Sequence, residues 1–184
     1  MTKALFLSVL LSLALVPAFA QESSFNLGVE AARQNKPDVA IGHFQKAVTE
    51  DPRDSRSMSW LGYLLLKSGK AQDAITWLQK AVELNPRAED AWNNLGNAYM
   101  EARQTEKAIQ AYQSALKLKP KYYDATYNLG NAYIALGTGT AVENAVKAFR
   151  DALALQPDSA EAHNNLGLAF ARMAQTYLAS EARF

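Results

Sequence analysis

Asparagine is the residue type whose spacing most invites a chemical explanation in this chain. The stretch AWNNLGNAYMEA, residues 91–102, holds three asparagines in a pattern otherwise typical of a helix. Each asparagine in a helix interior costs roughly 0.5–0.7 kcal/mol relative to alanine. A primary amide offers N–H donors and a carbonyl acceptor, so it can pair with the backbone of an extended peptide. The stretch therefore indicates either a solvated helix face or a surface that uses its amides for binding.

Residues suited to covalent or metal chemistry are few. The chain has no cysteine, so nucleophilic catalysis would need a serine, threonine or lysine beside a base. The two histidines, His43 and His163, lie 120 residues apart. The segment LGTGTAV is not a phosphate loop, because it lacks the strand-loop-helix setting and the Lys-Ser/Thr ending. We expect no catalytic residue, no metal site and no cofactor.

Prolines and glycines mark an internal repeat. Pro52, Pro86 and Pro120 are 34 residues apart, and Pro157 follows after 37. A Leu-Gly pair lies 25 residues before each of the first three prolines and occurs twice more, which gives the glycines Gly28, Gly62, Gly96, Gly130 and Gly167. Such a period predicts a repeat array in which each unit buries its apolar face against its neighbours.

The pattern resembles the tetratricopeptide repeat, and the resemblance covers the chain from residue 21 onward. Residues 89–122 match it at every marked position, namely Trp92, Leu95, Gly96, Tyr99, Ala108, Tyr112, Ala115 and Pro120. Each unit is expected to be a pair of antiparallel helices, called helix A and helix B below. The resemblance implies an all-α, right-handed superhelical solenoid of about 4.5 units. We predict the units at 21–54, 55–88, 89–122 and 123–159, with a truncated fifth at 160–184.

Two segments depart from the repeat. The fourth unit has three extra residues, and we expect them to lengthen the loop around Gly137 and Gly139, either as a tolerated insertion or as a contact loop. The fifth unit is predicted to end the array with a capping helix at about 160–174. Its tail carries Tyr177, Leu178 and Phe184, which would either cover exposed core or meet a partner.

The resemblance also predicts where a partner would bind. Helices A of this family line a concave groove, and an asparagine row would face it in the third to fifth units. The candidate peptide-binding residues are Asn93, Asn94, Asn97, Asn128, Asn131, Asn164 and Asn165, with Tyr63 and Tyr127 beside them. Asn93, Asn94 and Asn97 are expected to point away from Trp92 and Tyr99. The alternative is that these amides only solvate the groove or bond to the neighbouring repeat.

Other positions narrow the choice of partner. Family members that bind acidic chaperone tails need basic residues at the second position of each unit, where this chain has Glu22, Arg56, Asp90, Asp124 and Glu161. With Arg56 as the single basic residue in that set, the two-carboxylate clamp is absent. Trp60 and Trp77 occupy unusual positions, and exposure of either would indicate a partner face or a homodimer.

The N-terminus has the form of a signal peptide spanning residues 1–20. Lys3 precedes an apolar run from Ala4 to Val16, and Ala18-Phe19-Ala20 has the small-x-small form of a cleavage site. Cleavage would leave 18 basic and 18 acidic residues, because Lys3 is the one charge removed from 19 and 18. A neutral chain has no electrostatic drive toward nucleic acid or anionic lipid. We expect a periplasmic protein with no membrane insertion; the alternatives are secretion or an uncleaved N-terminal anchor.

These observations together predict a non-enzymatic scaffold or adaptor. It would bind an extended peptide segment of another envelope protein in its groove. The alternative function is a self-associating structural module of an envelope assembly, in which the groove asparagines are purely structural.

Overall fold

The computed structural model describes residues 22–181, with side chains through Leu178. This part of the chain is entirely helical. Its nine helices are α1 (Ser24–Arg33), α2 (Pro37–Glu50), α3 (Ser55–Lys67), α4 (Ala71–Leu84), α5 (Glu89–Glu101), α6 (Thr105–Leu118), α7 (Tyr123–Leu136), α8 (Gly139–Leu155) and α9 (Ala160–Glu181). Each helix packs on the helix before it and the helix after it, and successive odd-numbered helices from α3 onward also touch one another. The predicted all-α solenoid of helix pairs is confirmed.

Glycine permits the close approach within each pair. A Cβ at Gly28 would lie 2.9 Å from the ring of Phe44, and one at Gly62 would lie 2.5 Å from Leu78. Gly96 and Gly130 meet Tyr112 and Phe149 of their own units in the same way. Each of the four helices B carries one large side chain that is completely buried. These side chains are Phe44, Leu78, Tyr112 and Phe149. Glycine at this position therefore makes room for helix B in four units.

The turns between paired helices repeat with the same period. Each contains one residue in the left-handed region: Asn35, Gly69, Arg103 and Gly137, with φ of 55°, 75°, 57° and 72°. A left-handed residue lets the chain reverse direction sharply after a helix. Glycine takes this conformation without a steric penalty, whereas Arg103 must be held in it by the packing of the two helices it joins.

The expected long loop in the fourth unit is wrong. Only two residues, Gly137 and Thr138, separate α7 from α8, and the extra residues lengthen the helix to 17 residues from the 14 of α6. The Thr138 hydroxyl accepts a hydrogen bond from the backbone N–H of Ala141 at 3.3 Å, which caps the new first turn. Ala141 and Val142 then bury their side chains, so the added turn contributes to the core.

The last helix is longer than predicted. Helix α9 runs from Ala160 to Glu181 without a break, whereas we expected it to end near residue 174. Tyr177 donates a hydrogen bond to Glu143 of α8 at 3.2 Å, while the Leu178 side chain is 67% exposed. The predicted signal peptide at residues 1–20, Gln21 and Phe184 lie outside the described residues.

Candidate functional site

The odd-numbered helices line two adjoining cavities. The first, which we call the aromatic pocket, encloses about 890 Å³ and is lined by side chains of α1, α3 and α5, including Phe25, Trp60 and Tyr63. Phe25 packs edge-on against Phe44, which in turn stacks nearly parallel to Trp60, with ring centroids 5.8 and 5.7 Å apart. Asn94 also lines this pocket, and its side chain makes no hydrogen bond within the described residues.

The two tryptophans proposed as a partner face are both half-buried. Trp60 lines the aromatic pocket and packs edge-on against Tyr63 at 6.0 Å, so it forms part of the groove. Trp77 packs against the core from α4, with Lys80 Nζ 4.7 Å from its ring. Trp77 is half-buried and lines neither cavity, and a partner face at this residue stays a prediction.

Three basic side chains, those of Arg33, Arg56 and Lys67, lie around the aromatic pocket. Arg56 places its guanidinium carbon 4.6 Å from the ring centre of Phe25, and Lys67 Nζ lies 5.8 Å from that of Tyr63. Arg33 lines the same cavity from the end of α1. Arg33 and Lys67 are 34 residues apart and occupy the same position in consecutive repeats, which is the sequence signal that could have found them.

The second cavity, the amide pocket, encloses about 820 Å³ between residues of α5, α7 and the start of α9. Asn93, Asn97 and Asn128 line it together with Tyr127. Its charged lining residues are all acidic, namely Asp124, Asp158 and Glu161. The groove is therefore basic on one side of the aromatic pocket and acidic in the amide pocket.

The asparagines of the amide pocket bond to one another across repeats. Asn128 Nδ2 donates to Asn97 Oδ1 at 3.0 Å and to Asn93 Oδ1 at 3.3 Å. Asn97 Oδ1 also accepts from the Tyr112 hydroxyl at 2.7 Å. Asn93 lines the amide pocket but is only 5% exposed, because Asn128 bonds to it from the next repeat. The rotation of α7 against α5 brings Asn128 over it, and the period of one helix cannot predict that rotation.

The same arrangement recurs one repeat further on. Asn165 Nδ2 donates to Asn131 Oδ1 at 2.8 Å and to the Tyr127 hydroxyl at 2.9 Å. Asn164, its neighbour in sequence, is exposed, lies in neither cavity and has no side-chain hydrogen bond within the described residues. The sixth residue of one unit thus holds the fifth and ninth residues of the unit before it.

These bonds leave part of each amide unused. Both donors of Asn97 Nδ2 and of Asn131 Nδ2, and the Asn128 carbonyl, have no partner within the described residues. An amide has two N–H donors and one carbonyl with two lone pairs, so the unused groups present both a donor and an acceptor. The inter-repeat bonds fix their orientation, which lowers the entropy cost of binding a ligand.

Two tyrosines are held in their protonated form. Burial, and to a smaller extent the negative charge of Glu101, raises the pKa of the Tyr112 phenol above its ordinary range. For Tyr122, burial again comes first, followed by the hydrogen bond it donates to Asp90 at 2.6 Å, and the pKa is likewise raised. Both hydroxyls therefore remain donors at neutral pH, and the Tyr112 bond to Asn97 persists.

Within residues 22–178, no three His, Cys, Asp or Glu side chains are placed to share a metal ion. His163 Nε2 bonds to the Pro157 carbonyl at 2.9 Å, as Trp92 Nε1 does to Pro86 two units earlier, so this histidine takes the structural place of Trp92. Among the described helices, none has the length and apolar character needed to cross a membrane.

Comparison with known proteins agrees with this architecture. Family models described as tetratricopeptide repeat match residues 25–89 and 89–122, and one described as TPR repeat matches residues 141–173. These three segments of the chain are tetratricopeptide repeats. No curated protein sequence matches the chain.

Several solved structures share the fold. The MamA protein is 27% identical at a TM-score of 0.76, over 86% of this chain and 85% of that one. A thermophilic TPR protein of Thermus thermophilus, TTC0263, is 26% identical at a TM-score of 0.65, over 82% and 81% of the two chains. The first TPR of Spaghetti (RPAP3), solved with the HSP90 peptide SRMEEVD, is 25% identical at a TM-score of 0.61, over 62% and 91%.

Proposed function

We propose that this protein is a non-catalytic scaffold that binds an extended segment of another protein in the groove formed by its odd-numbered helices. The observation that carries the proposal is the set of unused amide groups, on Asn97, Asn128 and Asn131, along one groove. The similarity to a tetratricopeptide domain solved with a bound peptide supports the same class of ligand. Each backbone hydrogen bond to such an amide would contribute about 0.5–1.5 kcal/mol. A few such bonds, less the cost of ordering the peptide, correspond to affinities of about micromolar.

Substitution by aspartate separates binding from stability. In Asn97→Asp with Asn131→Asp, each side chain keeps the oxygen that accepts the inter-repeat bonds and loses its outward N–H donors. The change places a carboxylate opposite peptide carbonyls, and we expect peptide affinity to fall about tenfold or more, or 1.4 kcal/mol. Gln110→Glu with Asn144→Asp is the matched control, because both residues are exposed on the even-numbered helices α6 and α8 and line neither cavity.

The assay is binding to a peptide array that covers envelope proteins, followed by titration of the positive peptides. Circular dichroism melts of both double variants establish that folding is intact. Binding that survives the substitutions at residues 97 and 131 would assign the asparagines a purely structural role. Binding lost equally in the control variant would show that added negative charge alone is responsible.

We further propose that residues 1–20 direct export and that the protein acts in the periplasm. Intact mass measurement of the protein from the envelope fraction would show a chain beginning at Gln21. A periplasmic chain still carrying Met1 and held in the membrane would support an uncleaved anchor instead, and recovery from the medium would support secretion.

Self-association is the second candidate function, and the open face of α9 favours it. Nothing lies within 4 Å of a Cβ placed at Gly167, whereas the matching glycines of four other units meet a helix B. Leu168 and Phe170 are 45% and 37% exposed nearby. Sedimentation at increasing concentration tests this function: an association lost in Leu168→Ser with Phe170→Ser supports it, and a monomer at every concentration excludes it.

A further inference from the structure

Exposed apolar side chains concentrate on the last helix of the array. Seven large hydrophobic residues are exposed in the described chain, and four of them belong to α9, namely Leu168, Phe170, Tyr177 and Leu178. At helical spacing, one side of α9 is formed by residues that are all exposed and uncharged: Gly167, Ala171, Ala174 and Leu178. We call this side the end face, and Leu168 and Phe170 lie at its two edges.

The end face points to where helix B lies in the other units. A Cβ placed at Gly130 would lie 2.7 Å from the ring of Phe149 on helix B, whereas nothing lies within 4 Å of one placed at Gly167. The helices α1, α3, α5 and α7 end within six residues of their glycine, and the chain then turns back into helix B. Helix α9 instead runs on from Gly167 to Glu181, so the described chain supplies no helix B for the end face.

A second copy of α9 fits this place, because helix A and helix B of a unit run in opposite directions. Two identical helices that pack antiparallel are related by a two-fold axis, the symmetry of the commonest protein dimers. Between Ala160 and Leu178, α9 has one acidic residue, Glu161, near its start and one basic residue, Arg172, in its second half. Antiparallel packing brings these opposite charges together, whereas parallel packing would place like charges side by side.

The opposite end of the array has a different surface. The exposed residues on and just before α1 include Glu22, Asn26, Glu30 and Arg33. Terminal units of repeat arrays need such a polar outer face to stay soluble. A head-to-tail contact would bury the charges of Glu30 and Arg33 against apolar residues of α9, which costs desolvation free energy. The end face is therefore better matched to a second end face than to α1.

We propose that a second copy of this chain covers the end face, with its own α9 lying antiparallel in the place that helix B takes in the other units. One helix pair is a small contact beside the about 800 Å² per partner of a standard interface, so we expect a dimer that forms at about micromolar concentrations. This inference rests on self-association, the second candidate function, and names the surface and the geometry that produce it.

Cysteine cross-linking tests the geometry, because the chain has no cysteine of its own. Ala160 and Leu178 are roughly 27 Å apart along α9. In the antiparallel dimer, a short bis-maleimide linker should join an Ala160→Cys chain to a Leu178→Cys chain, because opposite ends of the two helices meet. We expect cross-linked dimer in a mixture of the two variants and little in either variant alone.

A charge in the end face tests the surface. Ala171→Glu places a carboxylate in the end face, and Ala154→Glu makes the same change at an exposed position of α8. Sedimentation should show that Ala171→Glu weakens the dimer by about tenfold or more, because the carboxylate would be buried against apolar side chains without a partner. Ala154→Glu should leave the dimer unchanged, and circular dichroism of both variants checks that they fold.

The outcomes separate this inference from the functions proposed above. Cross-linking of each cysteine variant to itself, or a dimer unaffected by Ala171→Glu, would overturn the inference and leave self-association through another surface in place. A monomer at every concentration would overturn both. Peptide binding in the groove is measured independently and depends on neither result.

Discussion

Asn164 and Asn165 are adjacent in α9, and comparing their alanine variants measures how much the amide hydrogen bonds stabilise this end of the array. Asn165→Ala removes two hydrogen bonds, to Asn131 at 2.8 Å and to Tyr127 at 2.9 Å, which join α9 to α7. Asn164→Ala removes none. At about 0.5–1.5 kcal/mol for each bond, the lost interaction amounts to about 1–3 kcal/mol.

Helix propensity changes both variants by the same amount. Replacing asparagine by alanine in a helix interior is favourable by about 0.5–0.7 kcal/mol. Asn164→Ala should therefore stabilise α9 slightly. Asn165→Ala should destabilise α9, because the free energy of the two lost hydrogen bonds exceeds the gain in helix propensity. The difference between the two variants isolates the hydrogen bonds at about 1–3 kcal/mol.

Hydrogen exchange is the appropriate assay, because repeat arrays open unit by unit and a single melting temperature does not report one end of the array. We expect the amides of residues 160–178 to exchange about five- to 150-fold faster in Asn165→Ala than in Asn164→Ala, since 1.4 kcal/mol is a factor of ten. Equal exchange in the two variants would refute the conclusion that the asparagine row joins the repeats.

Further predictions concern the packing and the tyrosines. Gly96→Ala places a methyl group in the ring of Tyr112 and should destabilise its unit by about 1–3 kcal/mol, whereas Gly167→Ala meets no atom and should be neutral or stabilising by up to about 1 kcal/mol. Hydrogen exchange in α5 and in α9 measures the two effects. An equal loss in both would contradict the close-approach argument. Because the pKa of Tyr112 is raised in the folded chain, its contribution to stability is complete below about pH 10 and is lost as the pH rises further. Melting temperatures between neutral and alkaline pH should therefore fall less steeply in Tyr112→Phe, which lacks the phenol, and equal slopes would show that another group controls the alkaline transition.

The sequence was sufficient to predict the helix pairs, because the 34-residue period fixes which residues face inward. Gly96 and Tyr112 are both marked positions of the repeat, and they lie against each other in the third unit. The left-handed turn residues follow the same period, although two of them, Asn35 and Arg103, are not glycine. The packing within one unit can thus be predicted from the sequence alone.

Contacts between units were harder to predict. The burial of Asn93 depends on how α7 is rotated against α5, and no pattern within α5 contains that information. Gly137 and Gly139 predict that the insertion forms a loop. Instead, the Thr138 hydroxyl caps the start of a helix, and Ala141 in its first turn is buried. Arg33 and Lys67 lie 34 residues apart in the last turns of α1 and α3, so the repeat period could have predicted that both line the aromatic pocket.

The most direct test of the proposed function is to map a bound peptide on the protein by amide chemical shifts. A peptide selected from a random library would be titrated into isotope-labelled protein, and the side-chain amides of Asn94, Asn97 and Asn131 would be followed. We predict that their signals shift on binding together with the backbone signals of α3, α5 and α7, while the outer positions Lys117 and Lys147 do not change. Shifts confined to the even-numbered helices, or no change at the asparagine amides, would contradict the assignment of the groove as the binding site.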